Sequence, residues 1–252
     1  MPKLTLIIPV YNEELQLKNK LAELENLKSL LQNDLEIIII DSNSTDSSSI
    51  YFDLLKSKGL AKVLFLDNEK QQRKSIGLAV TEACQKAECD LIVVWPVDIL
   101  ITKDHLQNIL DKSKTESLWG CFTKKYDSQS SIMTFYGYLQ NQLLTRYLRQ
   151  GVWTNVFFFN KKLSDLIPID GFLEDVLFCD RLRKVSLGHV IDRPVLVNIR
   201  KYNKDGINRR IASNGIIVLL YRFGYRDIPI LKDFYVGKIN FYQLLKKICL
   251  EN

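Results

Sequence analysis

Two apolar runs near the amino terminus, each ending in a turn of polar and acidic residues, constrain this chain more than any other feature. Residues 4–9, Leu-Thr-Leu-Ile-Ile-Pro, read as a strand that stops at Pro9 and opens onto Tyr11, Asn12, Glu13 and Glu14. Residues 36–40 read as a second strand that opens onto Asp41-Ser42-Asn43-Ser44-Thr45-Asp46. The long isoleucine runs do not alternate apolar with polar side chains, so both faces of each strand need an apolar cover. That is the condition of a parallel sheet between layers of helices. Polar acceptors where such strands end mark the edge at which open α/β sheets bind ligands.

The intervening segments carry the helical signal. Across residues 13–32, Leu17, Leu21, Leu24, Leu27, Leu30 and Leu31 recur at helical spacing. Ser44 or Asp46 is placed to cap a helix over 49–58, which Gly59 would end. A strand over 62–66, a helix over 70–87 and a strand over 90–95 follow. This alternation predicts an α/β fold with a mostly parallel central sheet and helices on both faces. Beyond Asp98 the pattern predicts a helix over 103–114, a strand over 119–126, an amphipathic stretch over 131–149 and a strand over 155–160. A helix over 174–184 ends before Gly188, a last strand covers 189–197, and an apolar helix covers 207–223. No repeat, low-complexity tract or Pro/Gly/Ser-rich linker interrupts the chain, so one domain is expected over residues 1–252.

Composition narrows the partners. With 252 residues, 46% of them hydrophobic, the chain can bury one substantial core. A net charge of +6 suits phosphorylated ligands or anionic lipid. Without an aromatic RNA-binding motif, zinc-finger spacing or an arginine-rich arm, it does not indicate nucleic acid. The five cysteines are scattered with no CxxC pair, as expected of free thiols in a reducing compartment. No leader segment precedes the first strand and no apolar window approaches about 18 residues, so a cytoplasmic, non-spanning protein is expected. The tail over 221–247 interleaves aromatics with Lys232, Lys238, Lys246 and Lys247. That composition suits either peripheral contact with anionic lipid at the inner membrane face or a solvated helix with a packed apolar face.

Taken together, Ile8-Pro9-Val10-Tyr11-Asn12-Glu13-Glu14 and the Asp41-x-x-Ser44-Thr45-Asp46 turn resemble the opening of a family-2 glycosyltransferase of the GT-A fold. The resemblance implies a Rossmann-like sheet, with a nucleotide-binding half in residues 1–100 and an acceptor half with a helical tail in 101–252. It also implies inverting hexosyl transfer from a nucleotide-diphosphate donor to a glycan, lipid or small-molecule acceptor. Pro9, Tyr11, Glu13 and Asp41 fall where the family contacts the nucleoside. Lys70 and Lys74, ahead of Gly77, fall near the diphosphate, although the family has Arg and Asn where Lys74 and Ser75 align. Asp98 matches the second carboxylate of the family's Asp-x-Asp motif, which holds Mg²⁺ or Mn²⁺, while Pro96 stands in place of the first. Hard cations bind through one or two carboxylates plus substrate phosphates, so the cation remains expected.

Glu174-Asp175, at the start of a helix, resembles the family's Glu-Asp motif. Asp175 is then the candidate base for the acceptor hydroxyl, and Glu174 positions donor or acceptor. On residue type alone, each acid has a plainer use: Asp41, Asp46 and Asp175 as turn or helix caps, Asp98 as a solvated strand end. Loss of the first motif Asp, the Asp41–Asp46 turn and Lys201-Tyr202-Asn203-Lys204-Asp205-Gly206 are nearest to a bacterial subgroup of the family. A non-catalytic nucleotide-sugar binding protein descended from such an enzyme is the alternative, supported by Pro96 and opposed by the intact Glu174-Asp175. His105 and His189 are expected to be structural, and Trp153 to serve either a sugar face or the core.

Overall fold

The computed structural model describes residues 3–31, 34–67, 75–114, 118–169, 172–225 and 228–250. Residues 1–198 and 199–252 form two compact units. The first is built on an eight-stranded sheet in the order β3-β2-β1-β4-β7-β6-β8-β5. Its elements are β1 (Leu4–Val10), α1 (Glu14–Leu31), β2 (Leu35–Asp41), α2 (Ser48–Ser57), β3 (Lys62–Phe65), α3 (Ile76–Lys86) and β4 (Leu91–Val94). They continue through β5 (Ile99–Leu100), α4 (Lys103–Ser113), β6 (Trp119–Tyr126), α5 (Ser131–Leu139), β7 (Phe157–Asn160), α6 (Glu174–Val185) and β8 (His189–Val197). The second unit holds α7 (Arg200–Asp205), α8 (Ile207–Arg222), α9 (Ile228–Tyr235) and α10 (Phe241–Leu250). Among the described residues no helix is long and apolar enough to cross a membrane.

The unbroken apolar strands have the cause the sequence implies. Ile7, Ile38, Ile40, Ile92 and Val94 join α3 and α6 side chains such as Val80, Ala83, Phe178 and Leu182 in one core cluster. The alternate residues Leu6, Ile8, Ile37, Ile39 and Val93 point to the opposite face and are buried as well. On α1, the buried leucines are Leu17, Leu24, Leu27 and Leu31. β1 pairs in parallel with β2 and β4, and β2 with β3. The second half breaks this uniformity. β7 runs antiparallel to both β4 and β6, whereas β6 and β8 are parallel. β1, β2, β3, β4, β6 and β8 therefore end at one edge, and β7 begins there.

Pro9 lies inside β1 rather than ending it, since the strand continues to Val10 beside Asp41. A proline in a central strand lacks a ladder donor. Backbone direction alternates along a strand, so Pro9 faces β4 as Ile7 does. The last rung on that side is Trp95 N–H to Ile7 O at 2.8 Å. The missing N–H thus falls just where β4 turns away, and the sheet opens there.

Other boundaries differ for local reasons. The helix expected over 70–87 is described from Ile76, residues 68–74 lying outside the described part. The strand expected from 155 starts at Phe157, after a 3₁₀ turn over Trp153–Asn155. The amphipathic stretch over 131–149 is α5 continued by a π-helix over Gln140–Tyr147. Among the described residues, Asn12, Asn43, Arg149, Val156 and Leu173 are the non-glycine residues with positive φ. Such φ is uncommon, and costly for branched residues such as Val156. Asn12 and Asn43 sit in the loops after β1 and β2, while Val156 and Leu173 flank the elements that carry Asp175.

Candidate active site

The loops after β1 and β2 are stitched to each other. Asn12 N–H donates to Ser44 Oγ at 2.8 Å, and Thr45 N–H donates back to Asn12 Oδ1 at 2.7 Å. Asp46 accepts from Glu14 N–H at 3.0 Å, so it caps α1, and from Ser48 N–H at 3.1 Å at the start of α2. Burial opposes the Asp46 charge, but hydrogen bonding from Ser48 and the Glu14 N–H outweighs it and holds the carboxyl below the ordinary range. Asp41 is 3% exposed and accepts from Ser44 N–H (3.0 Å) and Ser44 Oγ (2.6 Å). In this structure it shapes its own loop. Tyr11 is exposed on the same edge, and the Glu13 carbonyl accepts from Leu17 N–H at 2.9 Å as α1 begins.

Asp98 sits in a tight turn closed by Ile99 N–H to Pro96 O at 3.1 Å. Trp95, fully buried, donates from Nε1 to Ile99 O at 2.7 Å. The Lys20 ammonium, 6% exposed on α1, also donates to Ile99 O and lies 4.1 Å from the centre of the Trp95 ring. Glu23 pairs with Lys20 at 2.5 Å and accepts from Ile101 N–H at 3.3 Å. Burial lowers the Lys20 pKa and raises that of Glu23, each opposed by the other, and Asp98 also attracts Lys20. A buried lysine and tryptophan thus hold the Asp98 turn from beneath. Among the described residues no group of three His, Cys, Asp or Glu side chains could hold a metal ion. Among those residues, a cation at Asp98 would need substrate phosphate oxygens to complete its ligands.

Glu174 and Asp175 open α6 and point to different partners. Glu174, 5% exposed, accepts from Ser75 Oγ and from Gly77 N–H at 3.0 Å. Leu78 N–H donates to Ser75 Oγ at 2.8 Å. The described start of α3, at Ser75 and Gly77, is thus capped by a carboxylate from α6. Asp175 accepts from Trp153 N–H at 3.2 Å and from Val176 N–H at 2.9 Å. Burial raises its pKa, with those two bonds and the Lys124 charge working the other way. Trp153 packs on Phe157 and Phe178, at ring distances of 5.4 and 6.0 Å, so its side chain belongs to the core while its backbone holds Asp175.

The register brings these acids to one edge. Val10 and Asp41 are paired, Ile7 pairs Val94, and Val94 pairs Phe157. Asp41 ends β2, Asp98 follows β4 and Asp175 is bonded to the turn that precedes β7, so all three lie at the same edge of the sheet. With strands about 4.8 Å apart, β2 to β7 spans roughly 14 Å. Lys70 and Lys74 lie outside the described residues. Lys20 and Lys124 carry no signal in the sequence: a lysine in a helix or strand reads as solvent-facing until the tertiary fold buries it. His105 is buried and structural. Its Nδ1 is 3.0 Å from Thr102 N at the cap of α4, and burial lowers its pKa. The four cysteines described, Cys84, Cys89, Cys121 and Cys179, are free and buried.

The architecture and the motifs have known counterparts. A probable glycosyltransferase of Sulfolobus acidocaldarius is 27% identical over 167 residues, covering 66% of this chain and 33% of that protein. This chain therefore spans about a third of that relative. S. aureus TarS in complex with UDP-GlcNAc superposes with a TM-score of 0.63 at 17% identity, covering 79% of this chain and 59% of that one. The mannosyltransferase PcManGT from Pyrobaculum calidifontis, in complex with GDP-Man and Mn²⁺, gives 0.62 at 17% identity over 93% of this chain and 69% of that one. Glucosyl-3-phosphoglycerate synthase from Mycobacterium tuberculosis gives 0.59 at 16% identity, over 90% and 81%. At these identities the likeness establishes the GT-A fold. The model of the family described as "Glycosyl transferase family 2" matches residues 5–168, more than half of the chain, and on that match the chain belongs to glycosyl transferase family 2.

Proposed function

We propose that this chain is an inverting glycosyltransferase that moves a hexosyl group from a nucleoside-diphosphate sugar to an acceptor hydroxyl. The observation that carries the reading is the alignment of Asp41, Asp98 and Asp175 along one edge of the sheet. The donor nucleoside lies over the β1 and β2 loops, where Pro9, Tyr11, Glu13 and Asp41 surround it and a carboxylate accepts from base or ribose. The diphosphate extends toward Asp98, with Lys70 and Lys74 as the expected counter-charges. Asp98, together with substrate phosphate oxygens, would hold a divalent cation, Mg²⁺ or Mn²⁺, which would supply positive charge to the departing diphosphate.

Asp175 takes the proton of the acceptor hydroxyl as that oxygen bonds to the anomeric carbon. The bond from that carbon to the diphosphate breaks on the opposite face, and its electron pair leaves on the phosphate oxygen. Burial raises the proton affinity of Asp175, which is the direction a general base needs. The geometry of Asp175 favours this reading over a non-catalytic nucleotide-sugar binder. The acceptor is a glycan, a lipid or a small molecule.

Thermal melting with UDP, GDP and dTDP, each with and without Mn²⁺, tests the donor half directly. One diphosphate should raise the melting temperature by about 5–10 °C when present at roughly 100 times its dissociation constant. Mn²⁺ should add to that shift in the native protein but not in Asp98→Asn. No shift with any nucleotide would contradict the proposal. A shift without turnover of any nucleotide sugar would favour the binding protein.

A further inference from the structure

Two irregularities of the backbone converge on one buried lysine. β6 pairs with β7 only as far as Cys121 opposite Phe157, and its ladder with β8 shifts register between Phe122 and Lys124. Past that point the vacated side of β6 is satisfied by side-chain amides. Asn155 Nδ2 donates to Phe122 O at 2.7 Å. Asn141, on the π-helix, accepts from Lys124 N–H at 3.0 Å and donates to Lys124 O at 2.8 Å. Bulges and π-helical turns of this kind re-aim side chains next to sites.

Here the re-aimed side chain is Lys124, 4% exposed. Its Nζ lies 3.4 Å from Thr154 Oγ1 and 5.6 Å from the centre of the Tyr126 ring, and it forms no ion pair among the described residues. Thr154 follows Trp153, whose N–H holds Asp175. Ammonium and carboxylate therefore address adjacent residues of one 3₁₀ turn. A buried ammonium with no carboxylate in contact among the described residues, held by a hydroxyl and an aromatic ring, is costly to keep charged, so its retention calls for a use.

We propose that Lys124 is a positioning residue that keeps the Asp175 carboxylate charged and aimed at the acceptor, acting across the Trp153–Thr154 turn rather than by direct contact. The proposal rests on Asp175 being the base. A contact ion pair would occupy lone pairs that the acceptor proton needs. A cation set slightly back lends its field and leaves them available. Among the described residues, the titratable groups facing Asp175 are Glu174 and Cys179 on its own helix and Lys124 from β6, with Cys121 beside Lys124. Burial pushes Cys121 up to about 12 and Cys179 well above its usual value, so neither thiol is charged. Glu174 opposes ionisation of Asp175 and Lys124 supports it. Burial in turn pulls Lys124 down to about 8, with Asp175 resisting.

The test is a carbon-13 NMR titration of labelled aspartate carboxyls in the full chain, with Asp175 assigned by its loss in Asp175→Asn. In Lys124→Met the Asp175 midpoint should rise by about one unit, and in Lys124→Arg it should stay near the native value. The acid limb of donor hydrolysis should move to higher pH by the same amount, with KM for the donor unchanged. Thr154→Val, which releases the ammonium, should give a smaller shift of the same sign and serves if Lys124→Met fails to fold. Coincident midpoints in the native protein and in the variant that folds would overturn the proposal. A shifted midpoint in a protein with no turnover would instead overturn the role of Asp175 as base.

Discussion

Asp46 holds two helix starts with one carboxylate, and its neighbours Asn12 and Ser44 lock the same two loops. Asp46→Ala should cost about 1–2 kcal/mol in urea unfolding, the usual range for a lost cap. The depressed pKa sets the sign of the pH effect. The unfolded carboxyl binds its proton first as pH falls, so the stabilisation is full above about 4 and is lost as pH drops through the lower folded value. The gap between native and variant should close in that window. The residue types of the ligand edge were legible in Tyr11–Glu14 and Asp41–Asp46. Their division of labour was not, because it depends on two loops meeting across a sheet. Asp46 and Asn12 serve the loops, and Asp41 braces its own turn. Lys20 and Lys124 escaped notice for the same reason.

Elements were most legible where periodicity was strong. α1, β2, α4, β6, α6 and β8 fall within a residue or two of their expected bounds. The π-helix was not legible, since a change from i→i+4 to i→i+5 bonding leaves the apolar pattern almost untouched. The contact between α3 and α6 makes a second case. A Cβ at Gly77 would lie 1.9 Å from the Pro168 carbonyl oxygen, and Gly77 N–H binds Glu174. The glycine is there for close packing, and the carboxylate fills the helix end. Gly77→Ala should push α3 off that backbone, loosen the Glu174 bond and lower stability by roughly 2–3 kcal/mol in chemical denaturation. A neutral result would show that the two helices are not held so tightly.

At the scale of the molecule, the parallel half of the sheet follows from strand composition, while the insertion of β7 antiparallel between β4 and β6 does not. Strand order is a matter of long-range pairing, and Phe157, Phe158 and Phe159 look the same in either direction. That insertion positions Asp175, because it turns the Trp153–Asn155 segment toward the edge where β1, β2 and β4 end, where Trp153 N–H holds the carboxylate. The most direct measurement is donor hydrolysis and nucleotide affinity, by calorimetry, for the native chain and Asp175→Asn side by side. Loss of a positioned base should lower turnover by about 10²–10⁴-fold while the dissociation constant of the nucleoside diphosphate changes less than about threefold. Equal turnover by the variant, or loss of nucleotide binding along with turnover, would contradict the assignment of Asp175.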